Sequence, residues 1–178
     1  MNNLFAQCIP TPLGDMLALA NDTHLEHLSF IDTPLDATGI AALEKLHNRS
    51  FVFKNTDLLL TVALQLQEYF AAARTSFEIP LQMKGTTFQQ SVWNALIQIP
   101  YGNTRSYQQQ AKLMQQPLAI RAIAKANGAN PIMIIVPCHR IIGSDGSLTG
   151  YAGGMWRKKY LLELESSKSK AGKQSSLF

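Results

Sequence analysis

Residues 132–140 decide how the second half of this chain must fold, and they read Ile132-Met133-Ile134-Ile135-Val136-Pro137-Cys138-His139-Arg140. The first five are apolar and largely β-branched, so they must be buried. A cysteine at the exit of such a segment is either a core filler or a nucleophile. The pattern favours a nucleophile, because the proline stiffens the backbone before Cys138 and the histidine and arginine after it favour a thiolate.

The composition fits one larger domain or two small ones. The chain has 178 residues, 46% of them hydrophobic, which is enough to bury a core without disulfides. Only Cys8 and Cys138 occur, and no positively charged apolar leader opens the sequence, so we expect a soluble protein of the reducing cytoplasm. No window approaches the roughly 18 apolar residues that a membrane span requires. A formal charge of +4 fits either a polyanionic partner or an ordinary mildly basic protein.

The first 80 residues predict a small domain that combines strands with a helix. A helix with Asp57 as its N-cap is expected to end near residue 74, because apolar residues recur there at helical spacing. The stretch 77–81 is expected to be extended, and residues 84–87 to form a linker. Three strand candidates with turn residues between them precede the helix, at Leu4–Ile9, Met16–Ala20 and Leu25–Phe30.

The second half reads mainly as helices, and two of them are close enough to form a helix-turn-helix. The connection between these two is only four residues long. The second helix of the pair carries Arg121 and Lys125 one turn apart on one face, among small residues that suit a close approach to bases and phosphates. A solvated basic face is the alternative. The predicted helices are residues 88–99, 106–114, 119–127 and 156–165.

Blocks of residues along the second half match one known family in order and spacing. They are Phe88-Gln89-Gln90-Ser91-Val92-Trp93, Ile99-Pro100-Tyr101-Gly102, Ser106-Tyr107, Arg121-Ala122, Asn130-Pro131, Val136-Pro137-Cys138-His139-Arg140-Ile141-Ile142 and Gly150-Tyr151-Ala152-Gly153-Gly154. With these blocks the chain resembles the O6-alkylguanine-DNA alkyltransferases, also called methylated-DNA-protein-cysteine methyltransferases. The resemblance runs through residues 85 to about 165 and is loose before them. It points to the stand-alone form, because the four-cysteine regulatory domain of some relatives is absent.

The resemblance implies direct-reversal DNA repair in one irreversible turnover. The protein would bind duplex DNA, turn an O6-alkylguanine out of the stack and transfer its methyl or larger alkyl group to Cys138. O4-alkylthymine is a further candidate substrate. No cofactor or metal is implied, and a monomer is expected. Two alternatives stay open, a multiple-turnover cysteine hydrolase and a non-catalytic lesion sensor of the same fold.

The resemblance also implies catalytic roles for five residues. Cys138 becomes the thiolate nucleophile, His139 is its general base through a water, and Glu165 orients that imidazole. Asn130 braces the active-site turn by hydrogen bonds to the backbone. Tyr107 contacts the target phosphate and the flipped base, and is a candidate to lend a proton to the leaving guanine. On the residues alone, Glu165 is equally a helix-end carboxylate. Asn130 then belongs to a plain Asn-Pro turn, and Tyr107 is half-buried packing.

DNA contacts and pocket walls follow from the same resemblance. Arg121 would enter the duplex and fill the place of the extruded base, because an arginine can stack and hydrogen-bond at once. Gln108 and Ser144 join Tyr107 in the DNA-binding set. The glycine-rich segment 150–154 would form one wall of the pocket, although glycines also mark ordinary loops. The pocket residues so implied are Val136, Pro137, Ile141, Tyr151, Ala152 and Gly153.

These observations predict an α/β protein with two domains and a tail. Residues 1–84 would form a small α/β domain, an antiparallel sheet with a helix, that is ribonuclease-H-like. Residues 85–166 would form a mostly helical, winged-helix-like domain that carries both the DNA-binding helix and the thiol. Residues 167–178 would be a flexible tail. A zinc site built from Cys8, His24 and His27 is disfavoured, because a fourth ligand is missing.

The last five residues carry a motif of their own. Gln174-Ser175-Ser176-Leu177-Phe178 ends a polar, lysine-rich segment with two large apolar side chains. The pentapeptide resembles the Gln-x-x-Leu-Phe motifs by which bacterial DNA-maintenance proteins bind the replication sliding clamp. Gln174, Leu177 and Phe178 are therefore candidate clamp contacts, and an unstructured terminus is the alternative.

Overall fold

The chain divides into two compact units, Met1–Met83 and Lys84–Phe178. The structure is a computed structural model that describes residues 4–32 and 35–174. Within those ranges, no helix combines the length and the apolar character needed to cross a membrane.

The first unit is built on a four-stranded sheet. Its elements are strands β1 (Leu4–Ile9), β2 (Met16–Ala20), β3 (Leu25–Phe30) and β4 (Phe51–Phe53), with helices α1 (Ala37–His47) and α2 (Asp57–Phe70). The strand order is β3-β2-β1-β4, and β4 lies parallel to β1 whereas the other pairs are antiparallel. The sequence predicts an antiparallel sheet with a helix, and strands β1, β2 and β3 pair in that way, whereas β4, which the sequence does not predict, is parallel to β1. The difference arises because α1 returns the chain across the sheet, so that β4 enters in the same direction as β3 and β1.

The sequence analysis does not predict helix α1, although the residues that cap its two ends are of the types typical of helix caps. The Asp36 side chain accepts hydrogen bonds from the backbone N–H groups of Thr38 and Gly39, and Asn48 ends the helix with φ 50°. Ile40 and Leu43 of this helix pack on a cluster of buried residues from the sheet. Strand β2 is buried at every position, which requires cover on both faces of the sheet.

The N-cap of helix α2 lies one residue earlier than predicted. Thr56 is the N-cap, because its hydroxyl accepts from the backbone N–H of Leu59, and Asp57 occupies the first turn, where a carboxylate suits the helix dipole. The helix ends at Phe70 rather than near residue 74. Leu81 then pairs with Leu25, which agrees with the extended stretch predicted at 77–81.

Acid is expected to destabilise the first unit through His27. This ring is buried on β3, its Nε2 lies 2.8 Å from the hydroxyl of Ser29, and burial followed by the neighbouring His47 lowers its pKa to about 4. The unfolded chain, with a pKa near 6.5, therefore binds the proton first. The stability contributed by neutral His27 is present above pH 6.5 and is lost as the pH falls toward 4, by roughly 3 kcal/mol in full.

Urea unfolding followed by circular dichroism at pH 7 and pH 4.5 measures this loss. A His27→Gln variant should lose less stability on acidification than the parent, whereas a His24→Gln control should match the parent. Equal acid sensitivity in all three proteins would contradict the assignment to His27.

The second unit is mainly helical. Its elements are α3 (Thr87–Ile97), β5 (Arg105–Ser106), α4 (Tyr107–Leu113), α5 (Ile120–Gly128), a 3-10 turn (Cys138–Arg140), β6 (Ile141–Ile142) and α6 (Met155–Gln174). The two short strands pair in parallel. All four predicted helices are present, with ends that differ by one or two residues except at the end of α6.

Buried polar contacts fix the helix-turn-helix formed by α4 and α5. The side chains of Gln110 and Asn127 exchange two hydrogen bonds of 3.2 and 2.8 Å between these helices. The buried indole of Trp93 on α3 donates to the carbonyl of Ala126 on α5 at 2.8 Å. Because each buried polar group has a partner, the arrangement of the three helices is specific as well as stable.

Helix α6 continues beyond its predicted end at residue 165, through most of the predicted tail. The hydroxyls of Ser166 and Ser167 donate to the carbonyls of Glu163 and Leu164, and no proline interrupts the segment. Extending an established helix costs little for each added residue, so the backbone is helical to Gln174. Residues 175–178, which include the candidate clamp contacts Leu177 and Phe178, lie outside the described residues.

The apolar segment 132–136 is buried, as predicted, apart from the half-buried Ile135. It forms a tight turn in which Met133 bridges to Val136, and Ile134 has φ 71°. A β-branched residue in the left-handed region is strained by roughly 1–3 kcal/mol. The surrounding core holds this turn in place directly before Cys138.

Candidate functional site

Cys138 opens the 3-10 turn, and the buried amide of Asn130 fixes its position. The Asn130 Nδ2 group donates to the carbonyl of Val136 at 2.7 Å and to the Cys138 Sγ at 3.2 Å. Its Oδ1 accepts from the backbone N–H of Ile132 at 3.0 Å. One side chain therefore ties together both ends of the loop and reaches the sulfur itself, which is more than the backbone brace that the resemblance implies.

His139 and Glu165 form a fully buried pair. The His139 Nε2 lies 2.9 Å from the Glu165 Oε1. Because an ionised carboxylate only accepts hydrogen bonds, the ring proton sits on Nε2 and the lone pair on Nδ1. The Nδ1 atom is buried and has no hydrogen-bond partner among the described residues. Burial lowers the pKa of His139 despite the opposing Glu165, so the ring is neutral near pH 7 and can accept a proton at Nδ1.

Arg140 binds Glu165 instead of supporting the thiolate. Its Nε and Nη2 donate to the two carboxylate oxygens at 2.9 Å each, and its Nη1 donates to the carbonyl of Ile99 at 2.6 Å. The backbone N–H of Gly102 is a further donor to Glu165. Burial alone would raise the pKa of Glu165, but the hydrogen bonds and charges of His139 and Arg140 lower it to about 2. The prediction that Arg140 favours a Cys138 thiolate is therefore wrong, because its charge is committed to Glu165.

The resting form of Cys138 is a thiol. Only 7% of the residue is exposed, and burial raises its pKa above the ordinary value, although the Asn130 hydrogen bond and the charge of Lys158 oppose this rise. The sequence predicts a thiolate held ready by its neighbours, and the structure corrects this picture. The thiolate nucleophile forms only when a base removes the thiol proton of Cys138. The neutral His139 ring is suited to act as that base.

Lys158 is the site residue that the sequence reasoning missed. Its side chain is fully buried, and its Nζ donates to the carbonyls of Ile141, Thr149 and Gly150. Burial lowers its pKa to about 8, so most of the ammonium remains protonated at pH 7 and favours a negative sulfur. A lysine in the first turn of a helix gives no sequence signal of this role, because nearly all lysines are exposed.

A cavity of about 250 Å3 opens onto Cys138. Its lining includes Tyr107 and Asn127 from the helix-turn-helix, and Tyr151 and Ala152 from the glycine-rich segment. The Tyr151 hydroxyl is buried without a hydrogen-bond partner among the described residues, and burial followed by the nearby Cys138 raises its pKa well above the usual value. It is therefore a neutral donor available to a group that enters the cavity.

Four of the predicted pocket residues do not line this cavity. Val136 and Ile141 are fully buried and pack in the core, and Pro137 is also buried. The carbonyl of Gly153 instead accepts a hydrogen bond from Arg157 at 2.9 Å. These residues adjoin the site in sequence, but none of them is among the residues that line the cavity. Tyr151 and Ala152 line the cavity, as implied.

The predicted DNA-binding residues lie on α4, on α5 and in the loop after β6. Arg121 and Lys125 are exposed on α5, Gln108 is exposed on α4, and Ser144 is exposed in the loop. Gln108 and Ser144 line one groove, whereas Tyr107 lines the cavity above Cys138. The structure therefore joins the reactive sulfur and the helix-turn-helix through the cavity.

Charge is divided unevenly between the two units. Residues 84–178 contain twelve Lys and Arg against three Asp and Glu, a formal charge of +9, whereas residues 1–83 have a charge of −5. The whole-chain charge of +4 conceals this division, and a count for each predicted domain would have found it. A unit with this excess of positive charge is suited to a polyanion.

The imagined zinc ligands have other neighbours. The His24 ring bonds to the hydroxyl of Thr23, and the His27 ring to that of Ser29. Throughout residues 4–32 and 35–174, no group of three or more His, Cys, Asp or Glu side chains is placed to hold a metal ion.

The second unit combines a buried cysteine, a histidine–carboxylate pair and a basic helix-turn-helix. These features define a nucleic-acid-binding protein whose reactive group is a cysteine. Two family models match the chain. Residues 4–83 match the ribonuclease-like domain of 6-O-methylguanine DNA methyltransferase, and residues 87–167 match its DNA-binding domain. The chain belongs to the methylated-DNA-protein-cysteine methyltransferase family.

Individual relatives agree with this assignment. A methylated-DNA-protein-cysteine methyltransferase of Methanosarcina barkeri is 41% identical over 162 residues, which cover 91% of this chain and 97% of the relative. The crystal structure of the Mycobacterium tuberculosis O6-methylguanine methyltransferase is 40% identical, with a TM-score of 0.79 over 92% of this chain and 93% of that one. A structure of the same bacterium's OGT in complex with DNA matches with a TM-score of 0.78, 40% identity and coverage of 92% and 93%.

Proposed function

We propose that this chain repairs DNA by moving an alkyl group irreversibly from the O6 atom of guanine to Cys138. The observation that carries the proposal is that Cys138 lines a cavity of about 250 Å3 and is followed directly in the chain by His139, which forms a buried pair with Glu165. A single base can enter such a space only after it leaves the stack. The names of the relatives support the same chemistry.

The reaction follows from the geometry. The Cys138 thiol gives its proton to the Nδ1 of His139, through a water, while Glu165 holds the opposite edge of the ring and stabilises the imidazolium. The sulfur then attacks the alkyl carbon, a carbon–sulfur bond forms, and the bond from that carbon to O6 breaks. The departing guanine takes the electron pair and gains a proton; Tyr107, which lines the cavity, is the donor that the resemblance implies, and the buried Tyr151 hydroxyl is a second donor in the same cavity. The thioether product has no reverse path through thiol chemistry.

Stoichiometry distinguishes this proposal from a multiple-turnover cysteine hydrolase and from a lesion sensor. With excess O6-methylguanine duplex, we expect one guanine to be restored for each protein molecule and then no further reaction. Continuing turnover would indicate a hydrolase. Tight lesion binding without any restored guanine would indicate a sensor.

Arg121 is expected to aid base extrusion rather than the chemical step. Replacing Arg121 with alanine should slow transfer from duplex DNA by at least about tenfold, because part of the few kcal/mol that extrusion costs is no longer offset. Transfer from the free base O6-benzylguanine, which needs no extrusion, should keep its parent rate. Lys159→Ala, which removes a positive charge from an exposed position on α6 instead of α5, is the control. An equal loss on both substrates would contradict the role of Arg121.

We also propose where this protein acts, in which oligomeric state, and on which further substrate. Both cysteines are free thiols, which supports a cytoplasmic protein, since the reactive sulfur must stay reduced. A monomer is proposed together with this function, because the resemblance implies one. Activity on O4-alkylthymine requires the same in-line attack and belongs to the same proposal.

We further propose that Gln174, Leu177 and Phe178 bind the sliding clamp and recruit the protein to replicating DNA. The support is the pattern itself, with a glutamine for a polar subsite and two apolar side chains for a hydrophobic pocket. A pull-down with clamp should recover the full chain and lose a chain without its last five residues. Equal recovery of the two proteins would contradict the proposal.

A further inference from the structure

We propose that Asn127 is a specificity-determining residue that hydrogen-bonds a nitrogen of the extruded base, and that Gln110 is the positioning residue that holds its amide. This inference rests on the proposed function and deepens it. Asn127 lies near the end of α5 and lines the cavity of about 250 Å3 that Cys138 also lines. The family resemblance implies no role for either amide.

The two amide side chains hold each other in one orientation. The Asn127 Nδ2 donates to the Gln110 Oε1 at 2.8 Å, and the Gln110 Nε2 donates to the Asn127 Oδ1 at 3.2 Å. Both residues are buried, and only Asn127 of the two lines the cavity. Because two hydrogen bonds fix the plane of an amide, Asn127 is held at the cavity in a defined position before any base enters.

Half of the hydrogen-bonding capacity of Asn127 is unused within residues 4–32 and 35–174. A primary amide has two N–H donors and two oxygen lone pairs. The pair with Gln110 occupies one of each, so one N–H group and one lone pair remain. A buried polar group without a partner costs free energy. A molecule that fills the cavity and excludes solvent must therefore supply a polar atom to Asn127 or bind less tightly.

The base is the part of the substrate that can supply this atom. The alkyl carbon must lie against the Cys138 sulfur, whose side-chain hydrogen bond comes from Asn130. A methyl group also has no polar atom, whereas the edges of guanine carry nitrogen donors and acceptors. The other two cavity residues of α5, Ala124 and Gly128, have no polar side-chain atoms. A Cβ atom at Gly128 would meet no atom within 4 Å, so there is space beside Asn127.

A purely structural pair is the competing explanation, and leucine substitutions separate the two. Asn127→Leu alone leaves the Gln110 amide buried without a partner and should lower the melting temperature. A double variant, Gln110→Leu with Asn127→Leu, removes both amides. Replacing both partners of a buried hydrogen bond with apolar groups of similar shape is nearly neutral, so its melting temperature should return close to that of the parent.

Substrate recognition should not return with stability. With an O6-methylguanine duplex below saturation, the double variant should transfer about fivefold to tenfold more slowly than the parent, because a hydrogen bond to the base is missing. At saturating duplex its rate should approach that of the parent, since Asn127 binds the base without joining the chemical step. A double variant that regains the parent rate below saturation would overturn the inference. An equal loss at saturating duplex would overturn it as well.

Base analogues identify the contact itself. A set of duplexes in which O6-methylguanine lacks N1, N3, N7 or the exocyclic amine removes one edge nitrogen at a time. The analogue without the recognised nitrogen should slow the parent as much as the double substitution does, and should slow the double variant no further. Because each ratio is measured within one folded protein, this comparison decides even if the double variant stays less stable. Equal slowing of both proteins by all four analogues would overturn the inference.

Controls separate the possible failures. Gln67→Leu exchanges an exposed amide of α2 in the first unit and should keep the parent melting temperature and transfer rate. If the parent neither binds duplex nor accepts an alkyl group, the proposed function fails, and this inference fails with it. If the parent accepts one alkyl group per molecule and the double variant matches it on every duplex, the inference alone fails.

Discussion

Replacing Cys138 with serine is expected to reduce alkyl transfer to an undetectable level while leaving the protein folded. The serine oxygen can accept the Asn130 hydrogen bond that the sulfur accepts at 3.2 Å, so the turn loses little support. A hydroxyl is much harder to deprotonate than a thiol, and the neutral His139 ring cannot generate an alkoxide at a useful rate. Transfer is measured as restored guanine in an O6-methylguanine duplex under single-turnover conditions.

The chain provides a matched control for this substitution. Cys8 is exposed on β1 and takes no part in the candidate site, so Cys8→Ser should transfer at the parent rate. Both variants should melt as the parent does. Undiminished transfer by the Cys138 variant would contradict the whole mechanism.

Replacing Glu165 with glutamine is expected to cost both stability and activity. The carboxylate is 1% exposed and neutralises the buried Arg140, so its loss leaves an uncompensated charge that should cost roughly 3–5 kcal/mol of unfolding free energy. A glutamine amide can also donate to the Nε2 of His139, which favours the tautomer with its proton on Nδ1, where the base is needed. Transfer should therefore slow by on the order of a thousandfold or more in the protein that remains folded.

Glu163→Gln is the corresponding control. Glu163 lies two residues earlier on the same helix, its side chain is 66% exposed, and its contact with Lys159 spans 3.9 Å. Surface pairs of this kind contribute little, so its stability should change by less than about 0.5 kcal/mol and its transfer rate should remain unchanged. Urea unfolding and single-turnover transfer, measured side by side, test both variants. A Glu165 variant as stable as the control would contradict the buried network.

The strands of the first unit were readable from the sequence, and the connection after them was not. Strands β1, β2 and β3 have the predicted bounds, because short apolar runs between turn residues leave few other choices. Helix α1 and strand β4 were missed. Strand β4 is apolar but only three residues long, and α1 has a glycine in its first turn, so neither shows the length or clear periodicity on which such predictions depend.

The candidate site could be predicted only in part, for physical reasons. The Cys138–His139 pair is local and visible in the sequence, whereas Glu165 came from the resemblance, since only tertiary packing brings it to His139 across 26 residues. The sequence pattern does not show which positively charged side chain, Arg140 or Lys158, contacts the carboxylate of Glu165 and which lies near Cys138. Arg140 was therefore assigned to the thiol, whereas the structure gives the charge near Cys138 to Lys158.

The central claim is that Cys138 permanently accepts the alkyl carbon, and intact-mass spectrometry after incubation with an O6-methylguanine duplex tests it most directly. The account predicts that every active molecule gains one methyl group, that peptide mapping places it on Cys138, and that undamaged duplex adds nothing. Guanine restored while the protein keeps its original mass, or a methyl group on any other residue, would contradict it.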